Sequence, residues 1–529
     1  MISQLPQPIL HRILSLLSQK EAVQTCVLSK SWRYLGPTRP RIEFRLNHFG
    51  GNKETFMSVL NKTLQGYLDH KLCIQEFLVE MSNIDSESVS LLGKWIPIFT
   101  RNKDIKTFDL GFILNELAYL YPRYFDLPSV VFEAEPLREL YLKRCKLSRN
   151  PVLFKHLQTL SLAKVHITDE TFDKIMSSCP LIEHVVLHSC EGLRTIKVNN
   201  HHNLNYFDFC ACAVQSDDDY CSIEIDAPSL ETLKIVGCPN WYHDHKYFPR
   251  LKSLYLGDVR LSSLSFDILL SSCNYLKYLT LQNCYGFKEL HILSGSVKHL
   301  SIIGMCQYMT KSTIDAPNMV EFEYEGGFPR SISFARTSGE WKSNIKLMSF
   351  VDFDHNVSSW FRKLNKLLKA ISRSEISLFL FQHNNDRQEQ PPVQPDTNIY
   401  GGLYKPIVVV EQLRLSISGR LSCSGSANFM NGLFRICRPR NISVRKCGTY
   451  WDKSYLRLNE FLCKVLVTER EKHCFFWQQY LEEVSMEAFV EYGEKLYGVN
   501  LPSECLSLPL PNILFFRQNI RFRLKWIEN

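Results

Sequence analysis

Among the 18 cysteines of this 529-residue chain there is no C-x-x-C pair. Without one, and with no Cys/His spacing of a zinc site, no structural metal is expected. Long apolar runs are missing too. The longest near the start, "ILSLL", is short, and nothing approaches the roughly 20 apolar residues that cross a bilayer. That opening also lacks a basic leading region, and Lys20, Glu21, Lys30 and Arg33 follow at once, so no secretory signal is read there. The cysteines are therefore expected as free thiols in a reducing compartment, nuclear or cytoplasmic, with no membrane partner.

Catalytic signatures are equally scarce. G-x-S-x-G, H-E-x-x-H and the phosphate or dinucleotide loops do not occur. "SGSANFMNG" around Gly425 contains glycines but not the strand–loop–helix setting of a phosphate cradle. The net charge of +8 is mild for this length, and no basic cluster interleaved with aromatics argues for nucleic acid. His243, Asp244 and His245 in "WYHDHKYF", and "DDDY" from Asp217 to Tyr220, read as polar surface rather than metal ligands. The chain nominates no cofactor and no catalytic residue.

What is present is a globular composition and a repeat. Hydrophobic residues make up 45% and charged residues 22%, enough for an ample core, divided into domains or built as an array. After residue 130 one unit recurs: "LRELYLKRC" from Leu137, "LQTLSLAKV" from Leu157, "IEHVVLHSC" from Ile182, "LNYFDFCAC" from Leu204 and "LETLKIVGC" from Leu230. "LKSLYLGDV" from Leu251, "LKYLTLQNC" from Leu276, "VKHLSIIGM" from Val297 and "MVEFEYEGG" from Met319 continue it. The starts lie 20 to 26 residues apart. This is the leucine-rich-repeat pattern. The paired apolar residues of each unit point inward from a short strand, and the first apolar residue packs beneath them. One unit cannot bury that face alone, so neighbours stack into a curved parallel sheet.

A longer duplication overlies the repeat. The text from Leu157 aligns without a gap on that from Leu251, bringing Phe172, Asp173, Ser177, Ser178 and Cys179 onto Phe266, Asp267, Ser271, Ser272 and Cys273. "IDAPSLETL" at Ile225 is echoed by "IDAPNMVEF" at Ile314. "DETFDKIMSSCP" reads as a short helix on the convex side, with Asp169 as its N-cap and Pro180 ending it. Cys145, Cys190, Cys212, Cys238 and Cys284 share one repeat position, which suits a thiol turned into the bend after the strand rather than a ligand. Fainter units at Ile74, Ile105 and Val410 extend the array to about residues 42–440, interrupted by a polar, Pro-containing loop at about 382–402. Residues 441–529 are read as a mixed cap over the last repeat's edge.

The opening stretch is different. "PQPILHRILSLL" places Ile9, Ile13 and Leu16 on one helical face and Leu10, Leu14 and Leu17 on an adjacent one, an apolar arc wider than one core needs. Ser18 and Glu21 form a capping box for a second helix, and "LSKSWRYL" opens a third, with Ser29 as cap. Three helices in about 40 residues hold too little core to stand alone.

"LPQPILHRILSLLSQKEAVQTCVLSKSWRYL" resembles the F-box of plant F-box/leucine-rich-repeat proteins. Leu5-Pro6, Ile9-Leu10, Ile13-Leu14, Glu21 to Val23, Val27 to Lys30 and Trp32-Arg33 match that pattern in place. The resemblance implies an α/β protein: a three-helix F-box at residues 1–41, the solenoid, and the cap. It implies a non-catalytic subunit of an SCF-type ubiquitin ligase, docked on a Skp-type adaptor and through it on a cullin and a RING protein. Leu5, Pro6, Ile9, Leu10, Ile13, Leu14, Val27 and Leu28 would make the adaptor contact, as apolar anchors in a groove. The substrate protein would lie on the concave sheet, where the residues between the paired apolar positions are taken as Tyr141, Ser161, Val186, Asp208, Lys234, Tyr255, Thr280, Ile302 and Glu323. The alternative is a repeat scaffold or ligand sensor whose first helices only cap the array.

Overall fold

The computed structural model describes residues 40–82, 84–100, 104–113, 124–148, 152–211, 221–239, 241, 248–304, 310–337, 339–348, 357–383, 408–418, 423–444, 454–468, 475, 477–492, 495–500 and 519–527, with Pro6, Ile9, Ile13, Leu14 and Leu17 of the opening segment. The chain divides into two compact units, Met1–Arg260 and Leu261–Asn529.

In the first unit nine strands run parallel in chain order: Arg41–Arg45, Glu76–Ser82, Thr107–Ile113, Glu139–Lys143, Thr159–Ala163, His184–His188, Tyr206–Cys210, Thr232–Val236 and Ser253–Gly257. Register follows the repeat. Leu140, Leu160, Val185, Phe207, Leu233 and Leu254 stand opposite one another, each at most 1% exposed. At roughly 1.5–3 kcal/mol for each fully buried side chain, this ladder dominates the unit's cohesion. The spacing between repeats is set by shared acceptors. The Arg138 carbonyl takes the N–H groups of both Gln158 and Thr159, the Gln158 carbonyl those of Glu183 and His184, and the Glu183 carbonyl those of Asn205 and Tyr206.

A left-handed residue closes several of these strands. Arg144, Lys164 and Ser189 have φ of 60°, 51° and 51°. At Gly237, φ is 72° and an added Cβ would come within 2.9 Å of the Ala211 Cβ, so glycine is the residue that fits. This bend turns the next side chain, the repeat cysteine, inward. Cys190 Sγ donates to the Leu162 carbonyl at 3.4 Å, and Cys238 Sγ to the Cys221 carbonyl at 2.9 Å. Cys212 lies outside the described residues.

The convex side differs from expectation in two respects. Thr168, not Asp169, caps the helix Asp169–Ser178, accepting from the Thr171 N–H, because the helix begins one residue earlier than read. Asp169 Oδ1 instead takes the Arg194 N–H at 2.8 Å. Besides helices and turns, this side carries a second parallel ladder, Thr195–Asn199 against Ser222–Asp226. Both segments alternate apolar and polar residues, the period of a half-buried strand. Near the start of the unit, helices Lys53–Asp69 and Ser86–Thr100 are tied by Trp95 Nε1 donating to Asn61 Oδ1 at 2.9 Å. Asp85 accepts the Ser88 N–H at the start of the second helix and contacts Lys53. Burial works upward on this carboxyl, but Lys53 and Ser88 hold it down to about 2.

The second unit repeats the scheme with seven parallel strands: Tyr278–Gln282, His299–Ile303, Glu321–Gly326, Lys342–Met348, Glu375–His383, Val408–Ser418 and Cys437–Val444. Helix Ser263–Ser272 is the duplicate of Asp169–Ser178, capped by Ser262 accepting from the Ser265 N–H at 3.0 Å. After the last parallel strand the direction reverses. Asn519–Trp526 pairs antiparallel with both Cys437–Val444 and Leu481–Tyr492, and Lys495–Asn500 pairs with the latter. Trp526 packs edge-on against Phe434 and donates its Nε1–H to the Pro439 carbonyl at 2.7 Å.

Candidate functional site

Of the opening segment, five residues are described. Ile9 N–H donates to the Pro6 carbonyl at 2.9 Å and Leu17 N–H to the Leu14 carbonyl at 3.2 Å. Leu14 is fully buried, Ile13 half-buried, Pro6 exposed and Ile9 46% exposed. Leu5, Leu10, Val27 and Leu28 lie outside the described residues, as do His243, Asp244, His245, Asp217 to Tyr220, and most of the polar loop.

The sheet offers the second surface. In the first unit Tyr141, Ser161, Val186, Asp208, Lys234 and Tyr255 form one outward row in register, which Asp109 extends on the neighbouring strand. In the second unit Thr280 and Glu323 face outward as read, with Asn344 beside Glu323. Ile302 does not. It is 1% exposed, and Ser301 stands between Thr280 and Glu323. The period of two decides this: Leu300 and Ile302 are the inward pair of "VKHLSIIGM", so the residue between them points out.

Asp208 gathers the most elaborate group. Its side chain is only 6% exposed, although it stands on the outward face. Lys234 Nζ lies 3.3 Å from Oδ2, and the Tyr206 hydroxyl donates to the same oxygen at 3.3 Å. His188 Nε2 stands 3.1 Å from Oδ1, an ion-pair distance without an aligned hydrogen bond. Burial alone would push the Asp208 carboxyl up, but His188 and Lys234 bring it below the usual carboxylate range. Lys234 also sits 5.5 Å from the Tyr255 ring centre.

Nearer the start of the unit, burial raises Asp109, with Glu80 and Glu43 opposing the help it receives from Arg45 and Lys143. In the second unit Glu323 accepts from Ser301 Oγ at 3.0 Å and from Lys346 Nζ at 2.8 Å, which outweigh burial and lower its carboxyl. Lys346 also pairs with Glu325 at 3.2 Å, and His299 lies 3.2 Å from Glu321 while stacking on Tyr278. His188, Tyr206, Lys346 and His299 were missed in the repeat reading. His188 and Tyr206 sit two residues from Val186 and Asp208, so the same alternation carried one step along those strands finds them; His299 follows only once Ser301 is the outward residue, and Lys346 lies on a strand, Lys342–Met348, outside the repeat units read.

Among the described residues no group of three or more His, Cys, Asp or Glu is placed to hold a metal ion, and no helix is long and apolar enough to cross a membrane. Cys145, Cys179 and Cys437 are in no disulfide. Burial pushes the Cys179 and Cys437 thiols up to about 12 and raises Cys145 as well. A thiol of that kind is about one part in ten thousand thiolate at pH 8. Ellman's reagent is accordingly expected to leave these three unlabelled until denaturant is added; rapid labelling in the folded protein would contradict their burial.

The chain is similar to known proteins in both parts. A family model for the F-box domain matches residues 2–37, and one described as "FBD-associated F-box protein At5g56370, LRR repeats" matches residues 102–246 and 233–333. Three curated relatives from Arabidopsis thaliana illustrate this: FBD-associated F-box protein At5g56370 is 31% identical over 249 residues, 45% of this chain and 54% of the relative. F-box/LRR-repeat protein At3g59200 is 32% identical over 199 residues, 35% of this chain and 36% of the relative. F-box/LRR-repeat protein At3g26922 is 30% identical over 245 residues, covering 45% of this chain and 74% of the relative. The matches thus span about half of the first relative and about a third of the second.

Proposed function

This chain belongs to the plant F-box/leucine-rich-repeat family, and from that premise we propose that it is the non-catalytic substrate receptor of an SCF-type ubiquitin ligase. Residues 1–41 form the three-helix adaptor module, residues 42–440 the repeat array that holds the substrate protein, and residues 441–529 the cap. Leu5, Pro6, Ile9, Leu10, Ile13, Leu14, Val27 and Leu28 fill the groove of a Skp-type adaptor, which brings a cullin and a RING protein. The protein supplies no reacting group. It raises the local concentration of substrate beside a ubiquitin-loaded enzyme, where proximity lowers the barrier. The work is done in the nucleus or cytoplasm.

The observation that carries this reading is the F-box match at residues 2–37, followed by parallel sheets whose outward rows present polar and aromatic side chains. Co-purification of the full chain with a plant Skp-type adaptor tests it. Wild type is expected to hold the adaptor, and Leu5→Ala/Pro6→Ala to lose it, because two central apolar anchors together are worth a few kcal/mol. If wild type itself fails to bind, the opening helices are a lid on the repeats and the receptor reading falls.

A further inference from the structure

We propose that the Asp208 cluster is the specificity determinant of the first unit's sheet, and that it takes a carboxylate side chain from an acidic segment of the substrate; the inference rests on the receptor reading. Across the five strands from Thr159–Ala163 to Ser253–Gly257, Asp208 is the sole carboxylate among the outward positions, which also carry Lys234, His184 and His188. It is too buried for a partner to reach. Its partners are not: the side chains of Lys234 and His188 are 35% and 40% exposed. Asp208 is therefore a foundation beneath the half-exposed Lys234 side chain, while the His188 nitrogen that faces it, Nε2, is itself buried. A lone buried carboxylate is costly unless paired, so it fixes where those donors stand.

The repeat fold does not require this arrangement. In the duplicated half, the row that holds Val186, Asp208 and Lys234 in the first copy holds Thr280, Ser301 and Glu323, with the same strand order and register. The scaffold is satisfied by uncharged residues and an acid at positions where the first copy places an acid and a base. What the first copy gains is chemical rather than structural.

The charge count selects the ligand. Lys234 has three N–H donors, and its contact with Asp208 engages one. The two that remain suit the two oxygens of a carboxylate, while the Tyr255 ring beside Lys234 offers apolar support for the methylenes behind it. Asp208, 3.3 Å from Lys234, repels an incoming anion in proportion to its charge. The cluster thus accommodates a singly charged carboxylate better than a doubly charged phosphoryl group, which Asp208 repels.

The test is a screen of the purified full chain on a randomised peptide array in which single positions carry Asp, Glu, Lys, Arg or phosphoserine, with adaptor co-purification scored separately. Wild type is expected to enrich Asp and Glu. Lys234→Glu is expected to weaken the enriched peptides about ten-fold or more, the loss of a charge-assisted contact plus added repulsion. Lys234→Gln, which keeps the shape, should weaken them less, and an unchanged melting temperature separates lost recognition from lost folding. Preference for phosphoserine or for basic peptides overturns the proposal, as does a Lys234→Glu variant that binds like wild type. An array with no enrichment, from a chain that still holds the adaptor, overturns this proposal and leaves the receptor reading standing. Failure to hold the adaptor, with acidic peptides still enriched through Lys234, does the reverse.

Discussion

A chain ended after residue 518 is expected to aggregate. The strand it loses, Asn519–Trp526, pairs on one side with Cys437–Val444 and on the other with Leu481–Tyr492. Its removal exposes main-chain donors and acceptors along both, and a parallel edge left open is a template for intermolecular pairing. The loss is apolar too. Phe522 is fully buried and Leu524 is 5% exposed. Trp526 covers Phe434, with the Arg438 guanidinium 5.8 Å from its ring. Burial of a Phe and a Leu alone amounts to roughly 3–6 kcal/mol, comparable to the net stability of many domains. Size-exclusion chromatography with light scattering checks this: the truncated chain should elute in the void volume. A monodisperse product with the melting temperature of wild type would show that these strands do not close the sheet.

Leu160→Ala should lower the melting temperature by roughly 6–12 °C, while Leu264→Ala changes it little. Leu160 is fully buried between Leu140 and Val185 on the adjoining strands, and both neighbours belong to rigid ladders that cannot collapse into the gap. Deleting three heavy atoms there costs the transfer energy plus a cavity, about 3 kcal/mol in a range of about 2–5. At about 2–4 °C for each kcal/mol in a domain of this size, that gives the stated shift. Leu264 is 71% exposed on the helix Ser263–Ser272, so its loss opens no cavity and stays within about 0.5 kcal/mol. Differential scanning calorimetry of the two variants decides it, and equal shifts would mean that the repeat leucines are not a shared core.

The candidate site was legible to different depths along the chain. The row Tyr141, Ser161, Val186, Asp208, Lys234 and Tyr255 could be named without coordinates, because alternation within a strand leaves one side for each residue once its apolar neighbours are known to be inside. The same rule, misapplied by one position, put Ile302 outside; a single-residue slip inverts every side chain, and Ser301 is the residue that faces out. That His188 and Tyr206 meet Lys234 around one carboxylate was not legible. They come from three strands, and only their lateral register brings them together.

Local and repeating interactions were thus written in the chain. Leu, Leu and Cys at constant spacing specify the strand, its buried side and the inward thiol, because each depends on a period of two and on a neighbour of the same kind. The tertiary structure decided what depends on distant segments. It chose Thr168 over Asp169 as helix cap by where the helix begins, and added a strand ladder to the convex side through Thr195–Asn199 and Ser222–Asp226. It closed the sheet with a strand lying 75 residues along, counted from the end of Cys437–Val444 to the start of Asn519–Trp526. It also sank Asp208 beneath the side chains of Lys234 and His188. Pairing across such separations is selected by the free energy of the assembled core, which no single stretch of sequence contains.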